Sequence, residues 1–460
     1  MKPIAVRQKE SNPLDLYQSR AKIYPRQVTG RFESLRIILL SITLGIYFVL
    51  PWLHWDERQA ILFDIPNRAF HVFMFTFWPQ DFILLCSALI IASFALFFFT
   101  NLLGRVWCGY TCPQTVWTKV FFLIENFTEG SRNRQIKQDL AVWSFNKLIR
   151  KTIKHTLWLF VSALTGITFV GYFAPIGQLF ADLTFFQLSG WACFWILFFT
   201  LATYLNAGWM REQVCIYMCP YARFQSVMFD SNTLIVAYDA ARGEPRGNKK
   251  ENEKQGDCIQ CYMCVQVCPT GIDIRDGLQL ECIGCAACID ACDGIMDQID
   301  KSRGLIKYTS EKALQKKPTQ ILRPRLVGYG VVLLIMICTF SFTLFSRKMI
   351  NLTVMRDRNA LYRETTEGMI ENTYTLSILN MSQKKTHFII ELQSDSPMML
   401  VGSSTVLVAP GEVLNHIIHV EADPTKLKHS NEKINFKVSN PFLSTDLVLE
   451  ESRFISPGKF

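Results

Sequence analysis

The chain has 460 residues, of which 50% are hydrophobic and only 19% are charged, and its formal net charge is +9. The apolar content excludes an intrinsically disordered chain, and the length excludes a small secreted scaffold held by disulfides. In so apolar a chain, excess Lys and Arg indicate the cytoplasmic loops of a membrane protein, so we expect membrane lipid as a partner and no nucleic acid.

Five uncharged stretches are long enough, at about 20 residues each, to cross a bilayer as helices. They cover residues 37–55, 82–104, 156–181, 183–210 and 326–346. The predicted domains are therefore an N-terminal segment 1–34, four membrane helices within 35–210 with a loop at 104–155, a segment 211–325, a fifth helix 326–346 and a C-terminal domain 347–460.

The distribution of Lys and Arg predicts the orientation of these helices. Segment 1–34 carries seven Lys or Arg against three Asp or Glu, and loop 104–155 carries nine against three. The positive-inside rule then puts the N-terminus, 104–155 and 211–325 in the cytoplasm and 347–460 outside. Cysteine usage predicts the same orientation, because 12 of the 15 Cys fall in the two cytoplasmic segments and thiols stay reduced in the cytosol.

The strongest motif is a cysteine run of spacing C-x2-C-x2-C-x3-C that occurs twice. Its members are Cys258, Cys261, Cys264 and Cys268, and then Cys282, Cys285, Cys288 and Cys292. In bacterial two-cluster ferredoxins the fourth Cys of such a run ligates the other cluster. We therefore expect a ferredoxin domain at about 250–300 that holds two 4Fe–4S clusters. The predicted ligands are Cys258, Cys261, Cys264 and Cys292 for one cluster, and Cys282, Cys285, Cys288 and Cys268 for the other.

Two observations bear on this assignment. Asp293 follows the second run where proline is usual, which changes a turn but removes no ligand. Structural zinc is the alternative, but zinc sites usually take two distant C-x2-C pairs rather than four Cys in eleven residues.

A second motif, C-x-Y-x-C-P, occurs after the second and the fourth predicted helices. It contains Cys108 and Cys112 at the first position and Cys215 and Cys219 at the second. This recurrence predicts an internal repeat of two helices and one motif. Two thiolates, with Met218 nearby, suit Cu(I) or dithiol redox chemistry, which makes the four Cys candidate catalytic residues and copper ligands. The alternative is four buried Cys that pack as small hydrophobic side chains.

The C-terminal domain has the pattern of short strands. Candidate strands lie at 374–379, 387–392, 404–408, 416–420 and 434–438, and Pro410 and Pro424 mark turns between them. The pattern predicts an immunoglobulin-like β-sandwich without a disulfide, which would bind a partner or serve a structural role.

Taken in order, the five helices, the two C-x3-C-P motifs, the double ferredoxin run and the β domain resemble one family over nearly the whole chain. It is the family of cytochrome c oxidase accessory proteins called CcoG, FixG or RdxA, which are membrane-bound polyferredoxins. The resemblance implies an oxidoreductase of the bacterial inner membrane, with a cytoplasmic N-terminus and a periplasmic C-terminal domain. It implies reduction of Cu(II) to Cu(I) with the four C-x3-C-P cysteines involved, for assembly of the cbb3-type oxidase.

The resemblance also bears on partners. We expect a cytoplasmic electron donor, and a copper chaperone or exporter together with oxidase assembly factors as recipients; a homodimer is compatible with it. Two other functions stay open at this point. One is a quinol-linked electron-transfer subunit, and the other is a non-enzymatic, redox-sensing scaffold for oxidase assembly.

Overall fold

The computed structural model describes residues 22–55, 58–247, 256–357, 360–441 and 443–457. Most of the predicted N-terminal segment, 1–21, and the start of the predicted ferredoxin domain therefore lie outside the described residues. The chain divides into two compact units, Met1–His54 with Ser87–Cys338 and Trp55–Cys86 with Thr339–Phe460.

The described residues contain fourteen α-helices and sixteen strands, besides short 3₁₀ and π-helical stretches. The helices are α1 (Arg31–Val49), α2 (Phe82–Leu103), α3 (Val106–Tyr110), α4 (Pro113–Glu129), α5 (Arg132–Leu140), α6 (Phe145–Val170), α7 (Ile176–Thr184), α8 (Gly190–Thr203), α9 (Pro220–Met228), α10 (Ala240–Gly243), α11 (Met263–Gln266), α12 (Ala287–Gln298), α13 (Glu311–Leu314) and α14 (Pro324–Phe345). The strands are β1 (His54–Trp55), β2 (Arg58–Gln59), β3 (Ile61–Asp64), β4 (Ala69–Val72), β5 (Phe75–Phe77), β6 (Ile235–Tyr238), β7 (Ile306–Thr309), β8 (Ile350–Arg356), β9 (Arg363–Glu364), β10 (Ile370–Asn380), β11 (Thr386–Ser394), β12 (Met398–Val401), β13 (Thr405–Val408), β14 (Val413–Ala422), β15 (Asn431–Asn440) and β16 (Leu443–Ile455).

Five helical segments of the described chain are long and apolar enough to cross a membrane, which confirms the predicted number. They are Arg31–Trp52, Pro79–Leu103, Phe145–Val170, Gly190–Met210 and Pro324–Phe345. The fourth segment ends in the π-helical stretch Tyr204–Met210, and a second π-helical stretch, Val214–Met218, follows it.

The third membrane helix, α6, begins at Phe145, well before residue 156 where the uncharged stretch starts. Its first turns carry basic residues, because α4 supplies carboxylates for them. Lys151 and Lys154 lie 3.1 and 2.9 Å from the carboxylate of Glu129, and Lys154 is only 3% exposed. A buried cation is tolerated when it is paired in this way. Segment 104–155, predicted as a loop, is therefore largely helical.

The ferredoxin segment contacts the N-terminus of α1 through one carboxylate. Asp290, on α12, accepts the backbone N–H groups of Phe32 and Glu33 at 3.3 and 2.8 Å. The first N–H groups of a helix have no partner within the helix, and a carboxylate there also complements the helix dipole. A Cβ on Gly30 would lie 2.2 Å from the Asp290 carboxyl carbon, so this approach requires glycine.

The C-terminal residues form a sandwich of two antiparallel sheets. One sheet has the order β12-β14-β10-β8 with β9 beside β10, and the other has the order β13-β11-β15-β16. Buried residues alternate along β10, where Tyr374 and Leu376 point into a core shared with Phe388 and Phe436 of the other sheet. The predicted immunoglobulin-like fold is confirmed.

Residues 61–77, between the first two membrane helices in the chain, form the small antiparallel sheet β3-β4-β5. This sheet belongs to the same unit as the sandwich. Trp78, just after it, donates its indole N–H to the carbonyl of Met381 at 3.3 Å. Nearby, Arg347 and Asp81 form a buried ion pair.

Candidate metal centre

One cavity of the ferredoxin segment is lined by four cysteines from both runs. Cys258, Cys261 and Cys264 come from the first run and Cys292 comes from α12, in the second run. The rest of the wall is mostly apolar and includes Leu305. The structure thus brings together the four residues assigned by sequence to one cluster.

The second cavity is lined by the other four. Cys282, Cys285 and Cys288 of the second run meet Cys268 of the first, and Cys264 also reaches this wall. Four thiols around a mostly apolar cavity fit a 4Fe–4S cluster, whose iron is held by cysteine sulfur. Within the described part of the chain, no three His, Cys, Asp or Glu side chains are grouped to hold a single metal ion.

The two runs share an unusual backbone conformation. Gln260 and Tyr262 in the first run have φ of 54° and 56°, and Gly284 and Ala286 at the matching places of the second have 68° and 59°. Left-handed backbone is costly for residues other than glycine and persists where the surrounding structure demands it. The sequence spacing identified the ligands but gave no sign of this conformation.

Burial governs the protonation of these thiols. It raises the pKa of Cys282 and Cys292 to about 12 and that of Cys264 to about 11. Such thiols stay protonated at neutral pH without metal, and a bound metal deprotonates them.

Asp293 stands after the second run where proline is usual. Its carboxylate accepts the backbone N–H of Gly304 at 2.9 Å, and α12 continues through it to Gln298. The substitution therefore lengthens a helix and leaves all eight cysteines in the walls of the two cavities.

The two C-x3-C-P segments are built on the same plan. Cys108 lies in the short helix α3, and Cys112 precedes α4, whose first residue is Pro113. Cys215 lies in the π-helical stretch Val214–Met218, and Cys219 precedes α9. Proline is well suited to the first turn of a helix, since the N–H it lacks would have no partner there.

The structure brings the two C-x3-C-P segments next to each other, since Cys108 donates to Gln225 on α9, which follows Cys219. We call Cys108, Cys112, Cys215 and Cys219 the thiol tetrad. Burial raises the pKa of Cys108 to about 12, and the other three thiols act on it in the same direction while the charge of Arg105 opposes them. Burial likewise raises the pKa of Cys215 to about 12, with contributions from Cys112 and Cys219.

The thiol tetrad adjoins the second cavity through the first C-x3-C-P segment. A Cβ on Gly109 would lie 2.9 Å from the Cα of Cys285, so the two backbones are in direct contact. Cys108 packs on the same apolar cluster as Cys285. Tyr308 also donates its hydroxyl to the carbonyl of Gly284, between two of the ligands.

Three residues of this junction were not predicted: Gly109, Arg105 and Tyr308. Gly109 stands where the second motif has Ile216, and this asymmetry is the one sequence signal that could have indicated a close contact. Arg105 is 7% exposed and donates to the carbonyls of Cys282, at 3.3 Å, Leu280 and Ala222. No spacing rule connects it or Tyr308 to the cysteine runs.

Comparison with known proteins agrees with this architecture. A family described as a 4Fe-4S dicluster domain matches residues 210–311, and one described as a 4Fe-4S binding domain matches residues 86–126. The Ig-like fold at the C-terminus of FixG matches residues 340–457.

Full-length relatives extend the match over most of the chain. The nitrogen fixation protein FixG of Rhizobium meliloti is 38% identical over 85% of this chain and 83% of its own. Protein RdxB of Cereibacter sphaeroides is 40% identical over 88% of this chain and 90% of its own. Protein RdxA of the same organism is 42% identical over 81% and 82%. With its five membrane helices and iron–sulfur domains, the chain belongs to the FixG family of membrane iron–sulfur redox proteins.

Proposed function

We propose that this protein takes electrons from a cytoplasmic donor and reduces Cu(II) to Cu(I) at the thiol tetrad, for assembly of a cbb3-type oxidase. The observation that carries the proposal is the direct contact between Gly109, in the first C-x3-C-P segment, and Cys285 of the second cavity. When bound, 4Fe–4S clusters supply electrons one at a time, which matches the one-electron step from Cu(II) to Cu(I).

In this proposal, thiols of the tetrad move together to hold the copper substrate, because no three of the described side chains are grouped around a single ion. Sulfur is a soft ligand and favours Cu(I) over Cu(II), so the four thiols make reduction easier as well as binding the product. Cys108 donates its thiol hydrogen to Gln225 at 3.3 Å, which fixes its direction. Copper binding displaces the thiol protons, since burial keeps them on at neutral pH.

The proposal includes an orientation in the bacterial inner membrane. The loop charges favour a cytoplasmic N-terminus and ferredoxin segment, where a reductant is available, and a periplasmic β-sandwich. The sandwich then contacts oxidase assembly factors, and the Cu(I) leaves to a chaperone or exporter.

The test is an anaerobic single turnover. Purified protein with its clusters reduced and confirmed by EPR is mixed with Cu(II), and Cu(I) is followed with a selective chelator. We expect Cu(I) to form in proportion to cluster oxidation, and C108S/C112S and C215S/C219S variants to lose this reaction with their ferredoxin clusters intact.

The matched control is C193S/C338S, which removes two exposed thiols outside the motifs. It should reduce copper as the unmodified protein does, which excludes non-specific reduction by free thiols. Clusters that stay reduced in the presence of Cu(II) would reject the proposal and leave the quinol-linked or scaffolding functions.

A second candidate comes from the 4Fe-4S binding domain that matches residues 86–126, because that range contains Cys108 and Cys112. In this alternative the thiol tetrad holds a further cluster and relays electrons instead of binding copper. Iron analysis separates the two: C108S/C112S would lose about four iron atoms per chain if the tetrad held a 4Fe–4S cluster, and none if it bound copper.

A further inference from the structure

Each of the two ferredoxin cavities has one buried arginine beside it. Arg275 lines the cavity of Cys258, Cys261, Cys264 and Cys292. Arg105 stands between the other cavity and the thiol tetrad, since it binds the carbonyl of Cys282 and interacts electrostatically with Cys108, Cys215 and Cys282.

The two arginines differ in how their charge is compensated. Arg275 forms a two-point ion pair with Asp273, with its Nε and Nη2 at 2.8 and 2.6 Å from the carboxylate oxygens. Arg105 donates to three backbone carbonyls, and among the described residues it forms no ion pair with a carboxylate. Its side chain is 7% exposed, so water screens this charge little.

We propose that this difference makes electron transfer directional. The uncompensated charge of Arg105 stabilises an electron on the cluster beside the thiol tetrad. An electron on the cluster beside Arg275 is stabilised less. A reduced cluster carries one more negative charge than an oxidised one, and a nearby buried cation stabilises it. One electron moves between the two sites, and no bond is made or broken.

Other charged groups near the cavities make smaller contributions in both directions. Lys119 interacts with Cys285 on the tetrad side, but it is paired with Glu33 and so adds little. Asp293 places a negative charge near Cys292 on the far side. Glu281 opposes the effect by partly offsetting Arg105, but it is only partly buried and is better screened.

The inference rests on the proposed function, which gives directional electron transfer its use. Its test does not depend on that function, because it measures reduction potentials without copper. The test is an EPR-monitored redox titration of the protein with both clusters bound and no copper added. In R105Q we expect one of the two cluster waves to move to lower potential while the other stays. A threefold loss in the reduction equilibrium constant, about 28 mV at 59 mV per tenfold, is the smallest shift that would support it.

The reciprocal variant is D273N, which keeps the size of the side chain and frees the charge of Arg275. It should raise the potential of the wave that R105Q leaves unchanged. R105K keeps a positive charge at the same place and should restore most of the potential lost in R105Q.

The control is R323Q, which removes a buried arginine that binds Asp230 and Asn101 instead. R323Q should leave the reduction potentials of both clusters unchanged. Equal shifts of both waves in R105Q, or no shift with full iron content, would overturn the inference. Failure of wild-type protein to reduce copper, with these shifts observed, would count against the proposed function alone.

Discussion

The two C-x3-C-P segments share a motif and a local fold but face different surroundings. Tyr110 of the first is 4% exposed, whereas Tyr217 at the same place in the second is 71% exposed and is followed by Met218 at 59%. The first segment contacts the ferredoxin loop, and the second leaves its middle residues accessible. A duplicated motif can thus be divided between electron input, on the buried side, and access for a substrate, on the open side.

The largest effect is expected from filling the contact at Gly109. In G109V the new side chain must displace the backbone at Cys285, and overpacking of this kind costs about 1–3 kcal/mol or more. We expect loss of iron from the adjoining cavity and a lower denaturation midpoint in detergent. The control in the second segment, I216V, places the same valine at the matching position without adding bulk and should leave both unaltered. A G109V protein with its full iron content would contradict this contact.

The next largest effect is on copper affinity, which depends on the protonation of the tetrad thiols. Because burial raises the pKa of both Cys108 and Cys215 to about 12, each thiol is protonated up to high pH and must lose its proton to bind copper. Affinity for Cu(I) should therefore rise with pH below that value, about tenfold per unit for each proton displaced. Competition with a Cu(I) chelator at several pH values measures the slope, and a flat profile would argue against thiolate ligands.

Removal of a single hydroxyl compares the junction at the second cavity with the exposed second C-x3-C-P segment. Tyr308 donates to Gly284 beside the second cavity, so Y308F leaves a partly buried carbonyl without that donor and should cost about 1 kcal/mol of stability. Y217F alters an exposed side chain and should change stability by less than the error of a denaturation curve. Similar losses in the two variants would remove the distinction between this junction and the second segment.

The smallest effect concerns the thioether of Met218. As an exposed soft ligand beside Cys215 and Cys219 it can capture copper before the thiols do, and M218L should slow Cu(I) formation by roughly two- to fivefold. T111A, at the matching place in the first segment, should not slow it. Iron content should stay constant in both. Unchanged kinetics in M218L would leave copper entry to the thiols alone.

Much of this molecule could be predicted from the sequence, because several of its features depend on the local spacing of residues. Five apolar stretches predicted five helices, and short strands separated by turn residues predicted the sandwich. The crossing of Cys268 and Cys292 between the runs follows from ferredoxin spacing, and the structure groups the cysteines in the same way.

What the sequence could not predict depends on partners distant in the chain. The start of α6 was placed too late because Lys151 and Lys154 look like solvated charges until Glu129 is found beside them. The meeting of the two C-x3-C-P segments, and the position of Arg105 between them and Cys282, are products of tertiary packing. No local pattern encodes a contact across more than 100 residues.

The cap that Asp290 provides for α1 has a consequence for biosynthesis. A ribosome makes the chain from its N-terminus, so the first membrane helix is complete long before its cap has been synthesised. The amides of Phe32 and Glu33 receive their acceptor only after four membrane helices and the first cysteine run have left the ribosome. The N-terminus of α1 therefore stays without this cap until most of the unit has been synthesised.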